Sequence, residues 1–221
     1  MAHQVDAEKV TQFKNKYGDD GAVVCYVNST LEAKTLSDIC ITSSNAESII
    51  SRLPQRAVYL IPDRNLGAHL ARLIPDKEFT FGDGCCSVHD DIDPGEVAEL
   101  MRLHPRAIVA VHPECADSVR ELADCIGSTS RIIEYTVESE SRDCIICTVE
   151  GVRHEMRRAL ANRADDKNLH FPATVPRCPG MEMITLEGVR DALATFGGVV
   201  TIDERLVDRA RLPIQRMFDM G

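Results

Sequence analysis

Two pairs of polar side chains lie at the ends of apolar segments, where they could carry out acid–base chemistry. Tyr26 and Asn28 lie at the end of the apolar run AVVCYV, and His112 and Glu114 follow AIVAV. The members of each pair are two residues apart, so both point to the same side of an extended chain. A glutamate beside a histidine is suited to proton transfer near neutral pH. These four residues are therefore candidates for a catalytic or substrate-binding site.

Hydroxyl side chains follow each pair at a similar distance. Ser43 and Ser44 occur in SDICITSSNA, and Ser128 and Thr129 occur in ADCIGSTSRII. Each set follows a short apolar stretch and opens a helix-like stretch, where hydroxyl and backbone N–H groups suit a carboxylate or phosphate. The alternative is that these residues are ordinary helix N-caps. Their recurrence beside the two polar pairs favours one anion site lined by both sets.

The recurrence reflects a wider repeat along the chain. A shift of 86 residues matches several polar positions, which are Tyr26 with His112, Asn28 with Glu114, Asp38 with Asp124 and Ser43 with Thr129. A shift of 84 residues aligns Gly67 with Gly151. The rest of the two segments shares little, so the polar residues are the main signal of the repeat.

The elements that must position these residues alternate along the chain. Apolar, β-branched runs at 22–27, 58–61, 107–111 and 144–149 predict buried parallel strands. Helix-like patterns lie between them, as in EVAELMRL, where Asp93 and Pro94 are placed as N-cap and first helical residue. This alternation predicts an α/β fold of small three-layer αβα domains with parallel sheets.

We divide the chain into two α/β repeat units and a shorter tail. The first unit covers residues 1–86, the second unit covers residues 87–177, and residues 178–221 are predicted as a helix–strand–helix segment. Ligands of open parallel sheets bind just outside the carboxyl ends of the strands. That edge is where the four candidate residues are predicted to lie.

Two cysteines differ from the other seven in their surroundings. Cys86 in GDGCCSVHDD and Cys178 in PRCPGMEMITLE each follow a loop rich in glycine or proline and precede a helix-like stretch. They are 92 residues apart, close to the repeat length, and thiols near helix starts are suited to binding metal. Two thiolates are too few for a usual zinc site or a whole iron–sulfur cluster. The repeat spacing places an expected third cysteine just before Met1.

Most of the remaining cysteines are predicted to be packing residues. Cys25, Cys144 and Cys147 lie within apolar runs, and we expect them to be buried in strands. The spacing of the last two resembles a metal-binding C-x-x-C motif, but residues three apart on a strand face opposite sides. Joint binding of a metal by this pair is therefore not expected.

Bulk properties exclude several classes of function. The chain has 221 residues, 44% of them apolar, and a formal net charge of -10. It has no Lys/Arg-rich run, no apolar run long enough to span a bilayer and a polar N-terminus. Nucleic acid and membranes are therefore not expected partners. The odd number of cysteines, nine, and the missing export signal favour a reducing cytoplasm.

The ordered motifs resemble those of the quinolinate synthase family over nearly the whole chain. The matching segments are YVNSTLEAK, SDICITSSNA, IPDRNLG, GDGCCSVHDD, VHPEC, IGSTSRII and CPGMEMITLEGV. The resemblance implies three similar α/β domains around a pseudo-threefold axis, with a central [4Fe–4S] cluster held by one cysteine from each domain. It also implies condensation of iminoaspartate with dihydroxyacetone phosphate to give quinolinate, a precursor of NAD.

The resemblance assigns roles to the residues singled out above. Cys86 and Cys178 match two of the three cluster ligands. The positions that match substrate contacts are Tyr26, Asn28, Ser43, His112, Glu114 and Thr129. Glu114, His112 and Tyr26 are the expected catalytic residues. L-aspartate oxidase is an expected partner as the source of iminoaspartate.

The chain also departs from the family pattern. The family carries a whole domain before the YVN segment, with the first cluster cysteine, and none of it is present here. The resemblance therefore implies a partial form, completed by a separate first domain or by a homo-oligomer, whose tail would pack on that domain and otherwise expose apolar surface. In addition, Val149 stands where the family has an acid, and the adjacent Glu150 need not replace it.

Two other interpretations stay open from the sequence alone. The chain could be a non-catalytic remnant that binds a small dicarboxylate or a labile iron–sulfur cluster, with a further ligand from Cys85, another subunit or a small thiol. A zinc site is the third interpretation, with His89, three residues after Cys86, as the nearby ligand.

Overall fold

The computed structural model describes residues 1–161, 167–174 and 176–221, and it confirms the α/β fold. Eight strands are present in the described residues, and all of them pair in parallel. They are β1 (Gly21–Tyr26), β2 (Ile39–Ile41), β3 (Ala57–Ile61), β4 (Glu78–Phe81), β5 (Ile108–Val111), β6 (Cys125–Ile126), β7 (Asp143–Cys147) and β8 (Asn168–His170). The four predicted strands correspond to β1, β3, β5 and β7, with bounds that differ by one or two residues.

Helices connect the strands and cover the sheets. They are α1 (Ala7–Tyr17), α2 (Leu31–Thr35), α3 (Ala46–Arg52), α4 (Arg64–Leu73), α5 (Ser87–Asp90), α6 (Pro94–Leu103), α7 (Asp117–Arg120), α8 (Thr129–Glu138), α9 (Val152–Leu160), α10 (Pro179–Glu182), α11 (Leu186–Thr195) and α12 (Glu204–Met220). The start of α6 is as predicted, because the Asp93 carboxylate accepts a hydrogen bond from Gly95 N at 2.7 Å. None of the described helices combines the length and apolarity that a membrane span requires.

The two sheets have the same strand order. The first sheet runs β2-β1-β3-β4 and the second runs β6-β5-β7-β8. In each sheet the first strand along the chain is central, and the second strand lies beside it at the edge. In both sheets the central strands are buried, which explains why the runs at β1, β3, β5 and β7 are continuously apolar. The carboxyl ends of these strands are the edge that bears the candidate residues.

The repeated aspartates, Asp38 and Asp124, have a structural role in this topology. Asp38 Oδ2 accepts a hydrogen bond from Val23 N at 2.7 Å, and Asp124 Oδ2 accepts one from Val109 N at 2.8 Å. Each aspartate also donates its backbone N–H to the same valine carbonyl, at 2.8 and 2.9 Å. Each carboxylate therefore pairs the start of the short edge strand with the neighbouring central strand.

The cysteines predicted to pack in the core do so. Cys25, Cys144 and Cys147 are fully buried. Cys144 packs with Ile132 and Met156 on one face of the second sheet, whereas Cys147 packs with other residues on the opposite face. The C-x-x-C pair therefore faces two different sides, as the strand geometry requires.

The tail differs from the prediction in two respects. Helices α11 and α12 are present, but residues 197–203 form no strand, because no other described strand lies beside them to supply a hydrogen-bonded ladder. The last helix also has a packing partner within this chain. It packs on α2 and β2 of the first unit, burying Ala210, Pro213 and Met217.

The segment before this helix is exposed, as expected for the tail. All residues from 181 to 203 are exposed, and they include large apolar side chains such as Leu186 and Phe196, each 83% exposed. Isolated apolar residues are common on protein surfaces, but a run of this length is characteristic of a surface that makes contacts.

We predict that replacing either repeated aspartate weakens the fold. Asp38→Ala and Asp124→Ala each remove a charged acceptor from a backbone N–H of a central strand. The expected loss is about 1.5–3 kcal/mol of unfolding free energy for each variant. Urea denaturation followed by circular dichroism measures it, with the exposed Asp76→Ala as the control. Equal stabilities for all three variants would contradict this role.

Candidate active site

The candidate residues of both units meet around the Glu114 carboxylate. Glu114 follows β5 and is only 3% exposed, although it belongs to a residue type that is rarely buried without partners. Its Oε2 atom lies 3.2 Å from Nδ1 of His89. The Tyr26 hydroxyl, at the end of β1, interacts with the same carboxylate and with the Ser43 side chain. The carboxyl ends of the two sheets therefore contribute to one polar cluster.

His89 organises this cluster, although the sequence indicated it only as a zinc ligand. Its Nδ1 atom lies 3.3 Å from Cys86 Sγ, in addition to the contact with Glu114. Its Nε2 atom lies 3.0 Å from Thr148 Oγ1, directly after β7. Its ring stacks on that of His112 with centroids 4.3 Å apart. A signal was available, because Thr148 lies near the end of the strand predicted over 144–149 and His89 lies one helical turn after Cys86.

The protonation states follow from burial and these hydrogen bonds. Burial alone would raise the pKa of Glu114, but its hydrogen bond with His89 and its electrostatic interactions with the His112 and His89 imidazoles prevail and lower it to about 2. Burial lowers the pKa of His112 to about 4. Burial, together with the Glu114 charge, raises the pKa of the Tyr26 hydroxyl above its usual value. At neutral pH the cluster therefore holds an ionised Glu114, a neutral His112 and a protonated Tyr26.

The backbone fixes the tautomer of His112. Its Nδ1 atom accepts a hydrogen bond from the backbone N–H of Glu114 at 3.4 Å. In a neutral imidazole whose Nδ1 atom is an acceptor, the proton is on Nε2. His112 therefore presents an N–H donor at the far side of the ring.

The loop that carries Glu114 is attached to the first unit by polar contacts. Asn65, which is two residues after Asp63 at the end of β3, donates to the Glu114 carbonyl at 3.0 Å and to Asp90 at 2.7 Å. The buried Arg120 guanidinium donates through Nη1 to the carbonyls of Asn65, Pro113 and Cys115 at 2.7–3.0 Å. These contacts position Glu114 against Tyr26. Neither Asn65 nor Arg120 is among the site residues that the sequence pattern predicts.

The two candidate ligand cysteines occupy matching local positions. Cys86 and Cys178 are the N-cap residues of the short helices α5 and α10, with ψ angles of 104° and 105°. Both side chains are partly accessible. Burial, together with the nearby Glu114 charge, raises the pKa of the Cys86 thiol to about 12. The donor set fits a soft metal centre held by thiolates, provided that metal binding displaces the Cys86 proton.

An aspartate supports one cysteine but not the other. Asp63 Oδ2 accepts a hydrogen bond from Cys86 N at 2.9 Å, and Oδ1 accepts one from Leu66 N at 2.8 Å. The backbone N–H of Arg64 donates to the Gly84 carbonyl, two residues before Cys86, and that of Glu150 donates to the Pro176 carbonyl, two residues before Cys178. The residue before each donor is Asp63 in the first unit and Val149 in the second, so Val149 holds the equivalent position. The Glu150 carboxylate pairs instead with Arg153 at 3.2 Å. Glu150 therefore does not replace the missing acid, and the Cys178 loop lacks this contact.

Two neighbouring cavities contain the hydroxyl residues of the repeat. Ser43 and Ser44 of the first unit and Ser128 of the second unit line one cavity of about 590 Å³, together with His69 and Arg131. A second cavity, of about 770 Å³, is lined by residues that include Thr129 and Cys178. Ser128 is also an N-cap, because its hydroxyl accepts from Arg131 N at 3.4 Å. The capping role and the cavity-lining role therefore coexist.

The structure groups some candidate residues more closely than others. It brings Tyr26, Ser43, His112, Glu114 and Cys86 into one connected cluster. Thr129 and Cys178 line a cavity with each other. Asn28 is exposed at the end of the first sheet.

Comparison with known proteins places the whole chain in one group of sequences. A sequence model of the family described as "Quinolinate synthetase A protein" matches residues 1–219. A quinolinate synthase of Clostridioides difficile (strain 630) is 38% identical over 221 residues, which are 100% of this chain and 71% of the relative. One of Desulforudis audaxviator is 39% identical over 219 residues, 99% of this chain and 70% of the relative. One of Clostridium perfringens (strain SM101) is 37% identical over 100% of this chain and 72% of the relative.

We predict that the Glu114 hydrogen bonds make stability depend on pH. Because the folded-state pKa of about 2 lies below the usual glutamate pKa of 4.5, the ionised form stabilises the fold above pH 4.5. Glu114→Gln is expected to cost on the order of 2–3 kcal/mol at pH 7. This cost should shrink as the pH falls below 4.5 towards 2.

Urea denaturation of both proteins between pH 7 and pH 3.5 measures this effect. Glu121→Gln is the matched control, since Glu121 is exposed. A Glu114→Gln cost that is the same at every pH would contradict the assigned pKa shift.

Proposed function

Because this chain belongs to the quinolinate synthase family, we propose that it contributes two walls of a site that condenses iminoaspartate with dihydroxyacetone phosphate to quinolinate. The observation that supports this most directly is the buried cluster in which Glu114 meets Tyr26 and His89. The two repeat units, residues 1–86 and 87–177, each contribute one sheet edge to this site.

We assign binding and proton-transfer roles to the cluster. Tyr26 and the Nε2–H group of His112 are hydrogen-bond donors that orient substrate carboxylate or carbonyl oxygens. The Glu114 carboxylate is the proton acceptor. With a pKa of about 2 it is a weak base, so it accepts a proton once the substrate has displaced one of its hydrogen bonds.

Anionic groups of the substrates are assigned to the hydroxyl-lined cavities. Ser43 and Ser128 face one of them, and Arg131 adds a positive charge. Thr129 lines the other, beside Cys178. Hydroxyls and a guanidinium are suitable donors for carboxylate and phosphate oxygens. Asn28 is assigned to the mouth of the site, where it can reach substrate as it enters.

A [4Fe–4S] cluster is the cofactor that we assign to Cys86 and Cys178. When bound, it supplies a Lewis acid next to the Glu114 cluster. Both thiols lie at N-cap positions with nearly the same backbone angles. A third thiolate ligand comes from outside the described residues, from a preceding segment, another subunit or a small thiol. The cytoplasm, which keeps thiols reduced, is the proposed location.

We predict that the adjacent cysteines Cys85 and Cys86 behave differently. After anaerobic reconstitution with iron and sulfide, the native chain and Cys85→Ser are expected to hold about four irons and show the EPR signal of a reduced cluster. Cys86→Ser and Cys178→Ser are expected to lose both. Cys85 is a matched control because its thiol faces Asp90, at 3.3 Å, rather than Glu114.

Activity provides the second measurement of the same experiment. Glu114→Gln is expected to keep the cluster and to lower kcat for quinolinate formation by roughly 10²–10⁴-fold. Equal iron content in Cys85→Ser and Cys86→Ser would contradict the ligand assignment. A stable cluster without quinolinate formation by the native chain would instead favour the non-catalytic interpretation.

A further inference from the structure

A second cluster of metal-binding side chains lies away from Glu114. His104, Asp143 and His170 each offer one ligand atom, and these atoms all lie within 4.8 Å of one another. Asp143 Oδ1 is 2.9 Å from His170 Nε2 and 3.6 Å from His104 Nδ1. The cluster is at the end of the second sheet where β5 and β7 begin, opposite the edge that bears Glu114.

Three separate elements bring these side chains together. His104 caps the end of α6, Asp143 is the first residue of the central strand β7, and His170 is the last residue of the edge strand β8. The parallel register places Asp143 opposite Asn168 and Ile145 opposite His170. The imidazole of His170 therefore reaches back along the sheet towards Asp143.

The geometry is close to that of a tetrahedral zinc site. With metal–ligand bonds of about 2.1 Å, ligand atoms in such a site lie roughly 3.4 Å apart. The two distances from Asp143 Oδ1, 2.9 and 3.6 Å, bracket this value. The imidazole rings stack with centroids 3.8 Å apart and an interplanar angle of 27°. Because all three ligand atoms lie within 4.8 Å of one another, they are close enough to share one ion beside the carboxylate.

The surroundings suit a bound cation that exchanges with solvent. The three side chains are 21–31% exposed, so an ion can reach them and keep a water ligand. Asn168 Nδ2 donates to Asp143 Oδ1 at 3.1 Å and holds the carboxylate in place, as outer hydrogen bonds do at metal sites. Two imidazoles and a carboxylate are ligands for zinc and related divalent ions.

The fold does not require these three residues. The first unit has the same strand order, and its equivalent positions are Gly18 after α1, Ala57 at the start of β3 and Thr80 in β4. None of the three is a ligand of a transition metal. The His104–Asp143–His170 cluster is therefore specific to the second unit, although the two units form sheets of the same strand order.

We propose that His104, Asp143 and His170 bind a divalent transition-metal ion, with Zn²⁺ as the best fit. Three protein ligands leave one coordination position for water. The bound ion joins the edge strand β8 to β7 and to the end of α6. It stabilises this edge of the second unit independently of the chemistry proposed at Glu114.

The test uses the full chain with Zn²⁺ and Co²⁺ as the probes. Calorimetric titration with Zn²⁺ measures the number and affinity of ions, and the absorption of Co²⁺ identifies their ligands. Two variants, His170→Thr and Asp143→Ala, each replace a ligand by the residue type found at the equivalent position of the first unit. The matched control is His3→Ala, because His3 is exposed and lies in the first unit. Circular dichroism checks that each variant is folded.

The native chain and His3→Ala are expected to bind one more Zn²⁺ ion than the two ligand variants, or to bind it at least about tenfold more tightly. The Co²⁺ form should show visible d–d bands at this site without thiolate charge transfer. Zn²⁺ should raise the Tm of the native chain more than that of His170→Thr. Equal stoichiometry and affinity in all four proteins, or Co²⁺ bound only through thiolates, would overturn the proposal.

Discussion

The contact that aligns the two units is the buried guanidinium of Arg120. It is 3% exposed and bridges the Asn65 carbonyl of the first unit to carbonyls on both sides of Glu114. Nη1 donates to these carbonyls and Nη2 donates to Asp117, whereas the buried Nε atom has no hydrogen-bond partner among the described residues. A buried guanidinium is stable only where such contacts compensate its charge. This requirement fixes the loop of Glu114 against the first unit. The Glu114 cluster, whose members come from both units, depends on that alignment.

Burial gives the Glu114 cluster its chemical character. The carboxylate stays ionised because its interactions with His89, His112 and Tyr26 outweigh the effect of burial, and His112 stays neutral because burial disfavours its charged form. The site therefore holds one negative charge and several neutral donors. Such an arrangement suits a substrate with acidic protons and anionic oxygens. The protons of such a substrate can donate to the carboxylate and its oxygens can accept from the neutral donors, in place of the hydrogen bonds that are already present.

The sequence repeat combines residues of structural role with candidate site residues. Asp38 and Asp124 recur because each pairs an edge strand with a central strand, a need that both sheets share. Other matched positions have diverged, as Tyr26 and Asn28 correspond to His112 and Glu114. The two sheets are built by the same rules, whereas the edges that face each other carry complementary groups.

The sequence by itself determined the α/β fold, four central strands, the start of α6 and the polar residues at the strand ends. These features depend on local periodicity and helix capping, which are set by residues close to one another in the sequence. Only the tertiary structure decided that His89, Asn65 and Arg120 support Glu114, that α12 packs on the first unit and that residues 197–203 form no strand. Such contacts join residues far apart in the chain, and a strand exists only where a neighbour completes its hydrogen bonds.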